Sequence, residues 1–184
     1  MSKNVVASVF NDAIEILKLN KSAMTRVAHD KNATMWGAII LFAPFVIRFL
    51  LDFGGKMTLY GFFFKFYLIA ALAVAGSLFV FTLVAEHIFH AKADPMGFLR
   101  IMAYASIVNF LSIIPSLFGF LGILNLAISV WLLVVTYNVL MHYYRLKTEH
   151  AIATILIGVV FVLLLQSAIG RMLIGRYYQM GYMM

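Results

Sequence analysis

No cysteine occurs anywhere in the 184 residues, so disulfides, thiol nucleophiles and thiolate-bound metals are all excluded. Charge is nearly as scarce. Asp, Glu, Lys and Arg together make up 11% of the chain, against roughly 25% in soluble domains. Acids are the rarer kind, seven against fourteen Lys and Arg. GxGxxG, phosphate-loop, HExxH and GxSxG patterns are missing as well. The serines and carboxylates are too scattered to pair a nucleophile with a base. The sequence therefore names no catalytic residue and no cofactor. Its excess of seven positive charges would suit nucleic acid, but the basic residues sit at the ends of apolar runs rather than on one face. No nucleic-acid partner is expected.

What the chain has in place of charge is apolar surface, 64% of its residues, with a mean hydropathy of +0.99. The longest run, Ile101 to Tyr144, holds forty-four residues without Lys, Arg, Asp or Glu and is closed by Arg100 and Arg145. About 20 apolar residues make one helical crossing, so this run is long enough for two. Its middle, Pro115-Ser-Leu-Phe-Gly119-Phe-Leu-Gly122, favours a turn. A helical hairpin results, with both feet on one face of a bilayer. Two further runs, Phe66–Ala85 and Ala151–Gly170, are each twenty uncharged residues, and Ala33–Leu51, with Trp36 and Arg48 near its ends and Pro44 inside, completes the set. The expected fold is an all-α polytopic membrane bundle. Its five transmembrane helices fall near 33–51, 62–87, 98–117, 121–142 and 150–171, after an amphipathic leader (1–32) and before a short tail (177–184). Small residues at Ala71/Ala75 and Ala73/Ser77 allow close helix approach, within the chain or, as the alternative, in a homo-oligomer.

The leader places Val6, Val9, Phe10, Ala13 and Leu17 on one helical face and Ser8, Asn11, Asp12, Glu15 and Lys18 on the other. Two readings stay open. The helix lies on the headgroups with Lys18, Lys21, Arg26 and Lys31 toward anionic lipid, or it packs beneath the bundle by its apolar stripe. Asn20-Lys-Ser and Asn32-Ala-Thr match the glycosylation pattern, by chance on a cytoplasmic leader. With the leader inside, nine basic residues are inner (Lys3, Lys18, Lys21, Arg26, Lys31, Lys92, Arg100, Arg145, Lys147) and five outer (Arg48, Lys56, Lys65, Arg171, Arg176). The bias predicts N-terminus in and C-terminus out.

Polar residues in spans are costly and therefore candidates for function. Asn109, Ser112 and Ser116 share a face of span three, and Asn125, Ser129 and Thr136 share one of span four. If the two faces meet, they line a polar cavity or bond the helices together. At the inner boundary, Glu86, His87, His90, Arg100, His142, Arg145 and His150 form a second set. Their spacing is not that of a metal-binding box, and no metal site is assigned.

Phe98-Leu-Arg-Ile-Met-Ala-Tyr-Ala-Ser106, Ile114-Pro-Ser-Leu-Phe-Gly-Phe-Leu-Gly122, Ile128-Ser-Val-Trp-Leu-Leu-Val-Val135 and His150-Ala-Ile-Ala153 resemble the core of the YIP (Ypt-interacting protein) family, in its prokaryotic form. Leu19-Asn-Lys-Ser-Ala-Met-Thr-Arg-Val-Ala28 resembles the segment before the first span there. The chain departs from the family where it often has proline, carrying Ser22 in the leader and Val108-Asn109 in span three. The resemblance implies five spans and a cytoplasmic N-terminus. In eukaryotic relatives it implies Rab-type GTPase binding and vesicle traffic, and in prokaryotic relatives no established activity. The expectation for this chain is a non-enzymatic, membrane-organising or protein-interaction role in the cytoplasmic membrane of a prokaryote, with Golgi or endoplasmic reticulum as the alternative location. The expected partners are lipid and a protein bound through the leader and inner loops. A small channel or transporter using the polar stripes is the competing reading.

Overall fold

The computed structural model describes residues 2–52, 74–114 and 122–181. The turn expected after Asp52, the first half of span two with Ala71 and Ala73, and the turn across residues 115–121 with Ser116 lie outside them. Every regular element among the described residues is a helix: α1 (Ser2–Leu17), α2 (Lys21–His29), α3 (Ala33–Asp52), α4 (Val74–Ile88), α5 (Pro95–Ala105), α6 (Gly122–His142) and α7 (Thr148–Gly181). α4 closes in a π turn, Val84–Ile88, and α5 continues into a 3-10 segment, Ser106–Ser112.

Two of these helices are long and apolar enough to cross a bilayer, over Ile123–His142 and Thr148–Leu165. Only 28% and 17% of those stretches is buried inside the protein, whereas the core helix of a soluble domain is covered by its neighbours. Ile123, Leu126, Leu156, Leu163 and Leu164 face outward instead. α7 also runs past the span end expected near Arg171, on to Gly181. A charged residue ends an apolar run, but without proline it does not end a helix.

α5 is the hub of the bundle, packed against α1, α2, α3 and α6. Its Phe98, Ile101 and Ala105 are fully buried. α5 and α6 run antiparallel: the Phe98 ring meets Tyr144 edge-on at 5.6 Å, and one turn deeper Thr136 Oγ1 lies 3.8 Å from Met102 Sδ. α7 rests on α6 and on the π turn of α4.

The leader is two helices docked on the bundle, not one helix on a surface. Ala13 and Ile16 of α1, and Ala23, Met24, Val27 and Ala28 of α2, are buried. The buried face of α1 is turned from the expected stripe, since Val6 and Phe10 are exposed and Ile16 is covered. Asn20 makes the bend between them. Its Oδ1 accepts the Ser22 and Ala23 N–H groups at 3.0 and 3.4 Å, capping α2. Its Nδ2 donates to Glu15 Oε2 at 2.8 Å. That bond, and then Lys18, hold the Glu15 carboxyl below its ordinary range. Lys18 pairs with Glu15 and Arg26 with Asp12, so two cations expected to face lipid are neutralised within the leader.

Arg100 fastens the leader to the bundle. From α5 its Nε donates to Thr34 Oγ1 at the start of α3 (2.8 Å), and its Nη1 donates to the Ala28 carbonyl at the end of α2 (2.7 Å). Asp94 Oδ2 lies 3.8 Å away, and the arginine side chain is 13% exposed. Hydrogen bonds to charged groups contribute about 1.5–3 kcal/mol. Arg100→Met should therefore destabilise the protein by that order, with the loss felt first as faster amide exchange in α2. Exchange in α2 equal to that of the parent chain would show that the leader is held by its apolar face alone.

Candidate functional site

The loop between α4 and α5 and the loop between α6 and α7 come together at one end of the bundle, and α2 closes the third side. Between them is a cleft of about 770 Å³ lined by Thr25 and His29 of α2, by Phe89 to Asp94, and by His142 to Lys147 with His150. Four of the five histidines are in this lining. Its charged residues are Lys92, Arg145 and Lys147 against one carboxylate, Asp94. Asp94 is occupied as the cap of α5, accepting the Met96 and Gly97 N–H groups at 3.1 Å each. Among the described residues the three cations have no ion-pair partner. The cleft is therefore net positive.

Local backbone explains how each loop is aimed. Both helices that enter the cleft end in a wide reverse bond to the residue six before, Ala91 N–H to Ala85 C=O (3.0 Å) and Leu146 N–H to Leu140 C=O (3.1 Å). Helix ends closed by a reverse bond commonly carry a left-handed residue just before the donor, and glycine is its usual occupant. Here it is His90 (φ 52°) in one loop and Arg145 (φ 54°) in the other. The π turn widens the end of α4 and brings the Phe89 ring onto His150, stacked at 4.6 Å and 20°. Gly97 leaves room for Tyr143, whose hydroxyl would lie 1.9 Å from a β-carbon there. Tyr143 O–H donates to the Asp94 carbonyl at 3.2 Å. His29 Nδ1 is 2.8 Å from the Thr25 carbonyl, so Nδ1 carries the proton and Nε2 is left for another partner.

Tyr144 stands out within the lining. It is 4% exposed, its ring sits between Phe98 and Tyr143, and its hydroxyl has no hydrogen-bond partner. Burial, and then the charge of Glu86, push its ionisation upward, so it stays a neutral donor.

Of the residues expected at the inner boundary, the cleft gathers His90, His142, Arg145 and His150. Glu86 and His87 are on the π turn outside the lining, His87 Nδ1 bonding the Leu83 carbonyl at 3.2 Å. Arg100 serves the leader instead. Thr25, His29, Lys92, Tyr144 and Lys147 were not singled out by sequence. His29 and Thr25 lie one turn apart, flanking the buried face of α2, a signal that becomes readable once that face is known to dock. Among the described residues no three of His, Asp and Glu converge to hold a metal ion.

The polar residues of spans three and four do not form a facing pair of stripes among the described residues. Asn125 and Ser129 are exposed, Asn109 is half-buried, and Thr136 is buried. Ser112, Ser129 and Thr136 donate to carbonyls of their own helix, those of Asn109, Asn125 and Leu132, at 2.6–2.9 Å. Ser77, Thr82, Ser106, Asn138 and Thr154 do the same. In the 3-10 geometry of Ser106–Ser112 residues three apart eclipse, so Asn109 and Ser112 stay on one face, while Asn125 and Ser129 of α6 are exposed.

Compared with family models, with curated proteins and with solved structures, the chain finds no match.

A left-handed residue other than glycine costs about 1–2 kcal/mol, of which glycine's extra chain entropy would return roughly 0.5–1. His90→Gly and Arg145→Gly should each raise stability by about 0.5–1 kcal/mol, measured by thermal unfolding in detergent. A fall in either variant would mean that the side chain is needed for the fold rather than held in spite of it.

Proposed function

We propose that this is an integral membrane protein of YIP type, with five spans, its N-terminus inside and its C-terminus outside the cytoplasmic membrane of a prokaryote. It works without catalysis, as a membrane-organising component that docks a protein partner on its inner face. The observation that carries the reading is the convergence of α2 and both inner loops on one positive cleft. A leader docked through Ile16, Val27 and Arg100 turns three separate polar segments into a continuous surface. Its unpaired cations suit an acidic partner, because charge complementarity steers encounter and sets specificity. The long outward-facing apolar lengths of α6 and α7 support the membrane setting, where such surface is covered by lipid.

A channel along spans three and four is the weaker alternative. It needs polar groups turned toward one another, and the hydroxyls described there are spent on their own backbone.

The cysteine-free chain makes orientation directly testable. A membrane-impermeant thiol reagent added to intact cells should label Met184→Cys and leave Lys31→Cys unlabelled until the cells are opened. The reverse pattern would overturn the orientation. For docking, partners co-purified in mild detergent with the whole chain should be lost from a Lys92→Glu, Arg145→Glu, Lys147→Glu triple variant of equal thermal stability. An unchanged set of partners would remove the cleft as the contact surface.

A further inference from the structure

The loop-end cleft holds an unusual combination of a buried donor without an acceptor and cations without anions. The Tyr144 hydroxyl is enclosed in protein and has no partner, and Tyr144 is one of the residues that line the cleft. Buried polar groups are nearly always bonded, and an exception calls for an explanation. Tyrosine could have been phenylalanine at no cost in packing, so the hydroxyl asks for an acceptor that arrives from outside. Lys92, Arg145 and Lys147 around the same cleft form no ion pair among the described residues, and Asp94 is the one carboxylate in the lining. The acceptor is therefore anionic.

Further features narrow its chemistry. Arg145 and His90 reach the cleft from left-handed backbone, where glycine would be the less strained residue, so their side chains are retained against a conformational cost. Lys92 comes from one loop and Tyr144, Arg145 and Lys147 from the other, so the donors are drawn from two separate segments. A tetrahedral oxyanion can accept from several directions at once, while a carboxylate presents two oxygens in a plane.

We propose that the cleft is a binding site for a phosphate group, with Tyr144 O–H, Lys92, Arg145 and Lys147 as its donors. This deepens the docking reading, because it names the chemistry of the same cleft. It does not depend on a protein partner, and a phosphate site would remain if no partner were found. The phosphate can come from solution or from a lipid headgroup at the inner surface, where the cleft would open.

The test uses the full chain in nanodiscs of phosphatidylcholine, alone or mixed with phosphatidic acid, titrated with inorganic phosphate by calorimetry and followed by thermal unfolding. Phosphate should bind in phosphatidylcholine discs and raise the melting temperature. Weaker phosphate binding in the mixed discs, with a melting temperature already raised before phosphate is added, identifies the headgroup as occupant. Equal binding in both identifies free phosphate. Tyr144→Phe should weaken binding by about tenfold, the scale of one hydrogen bond to a charged group, while leaving the unliganded protein as stable as its parent or more so. Lys147→Gln, at an exposed position, should weaken binding with no change in unliganded stability. The proposal is overturned if neither phosphate nor phosphatidic acid shifts the melting temperature, or if both variants bind as the parent does. Loss of partners in the triple variant with phosphate binding intact in the parent chain would separate the two readings.

Discussion

A single guanidinium holds the ends of three helices in register. Arg100 enters from α5 and bonds a side-chain oxygen at the start of α3 and a main-chain oxygen at the end of α2. That carbonyl belongs to the last turn of α2, where the helix itself supplies no donor. Arginine suits the position because its rigid fork serves two acceptors at once, and it remains charged at any relevant pH. With the fork in place, the apolar face of α2 is held over α5, and the flank carrying Thr25 and His29 becomes a wall of the cleft. Without it α2 would be held over α5 by its buried Ala23, Met24, Val27 and Ala28 alone.

Within the apolar helices, chemistry is suppressed. Ser77, Thr82, Ser106, Ser112, Ser129, Thr136, Asn138 and Thr154 each donate to a carbonyl in the preceding turn. A hydroxyl in hydrocarbon that lacked such a bond would be costly, and a bond to the neighbouring turn is available without any partner helix. Packing is thus left to apolar contact around Phe98, Ile101 and Val139. The groups that remain unspent lie at the loop end, where histidines, cations and the Tyr144 hydroxyl are gathered.

The two loops illustrate how backbone strain and side-chain placement are coupled. His90 and Arg145 occupy the equivalent position in two helix ends built alike, one after α4 and one after α6. Glycine would make either turn with less strain. Both residues lie in the lining of the cleft, so the two strained turns are part of its wall.

The sequence by itself determined that the chain is helical and that it holds apolar lengths sufficient to cross a membrane. Runs such as Ile101–Tyr144 and Ala151–Gly170 declare this through the absence of charge, a property that needs no knowledge of neighbours. It also marked His90, His142, Arg145 and His150 as residues near one boundary. Only the tertiary structure decided that these four share a cleft with Lys92, Tyr144 and His29. Positions 29, 90 and 144 are far apart along the chain, and only the docking of α2 and the antiparallel pairing of α5 with α6 bring them together. The polar arcs read along spans three and four went the other way. Periodicity puts Asn125 and Ser129 on one face of their helix but does not say that this face is exposed rather than turned toward Asn109. The leader's buried face was similarly beyond reach, because α1 offers apolar residues on two sides, and the choice of Ile16 over Phe10 is made by the helix it meets.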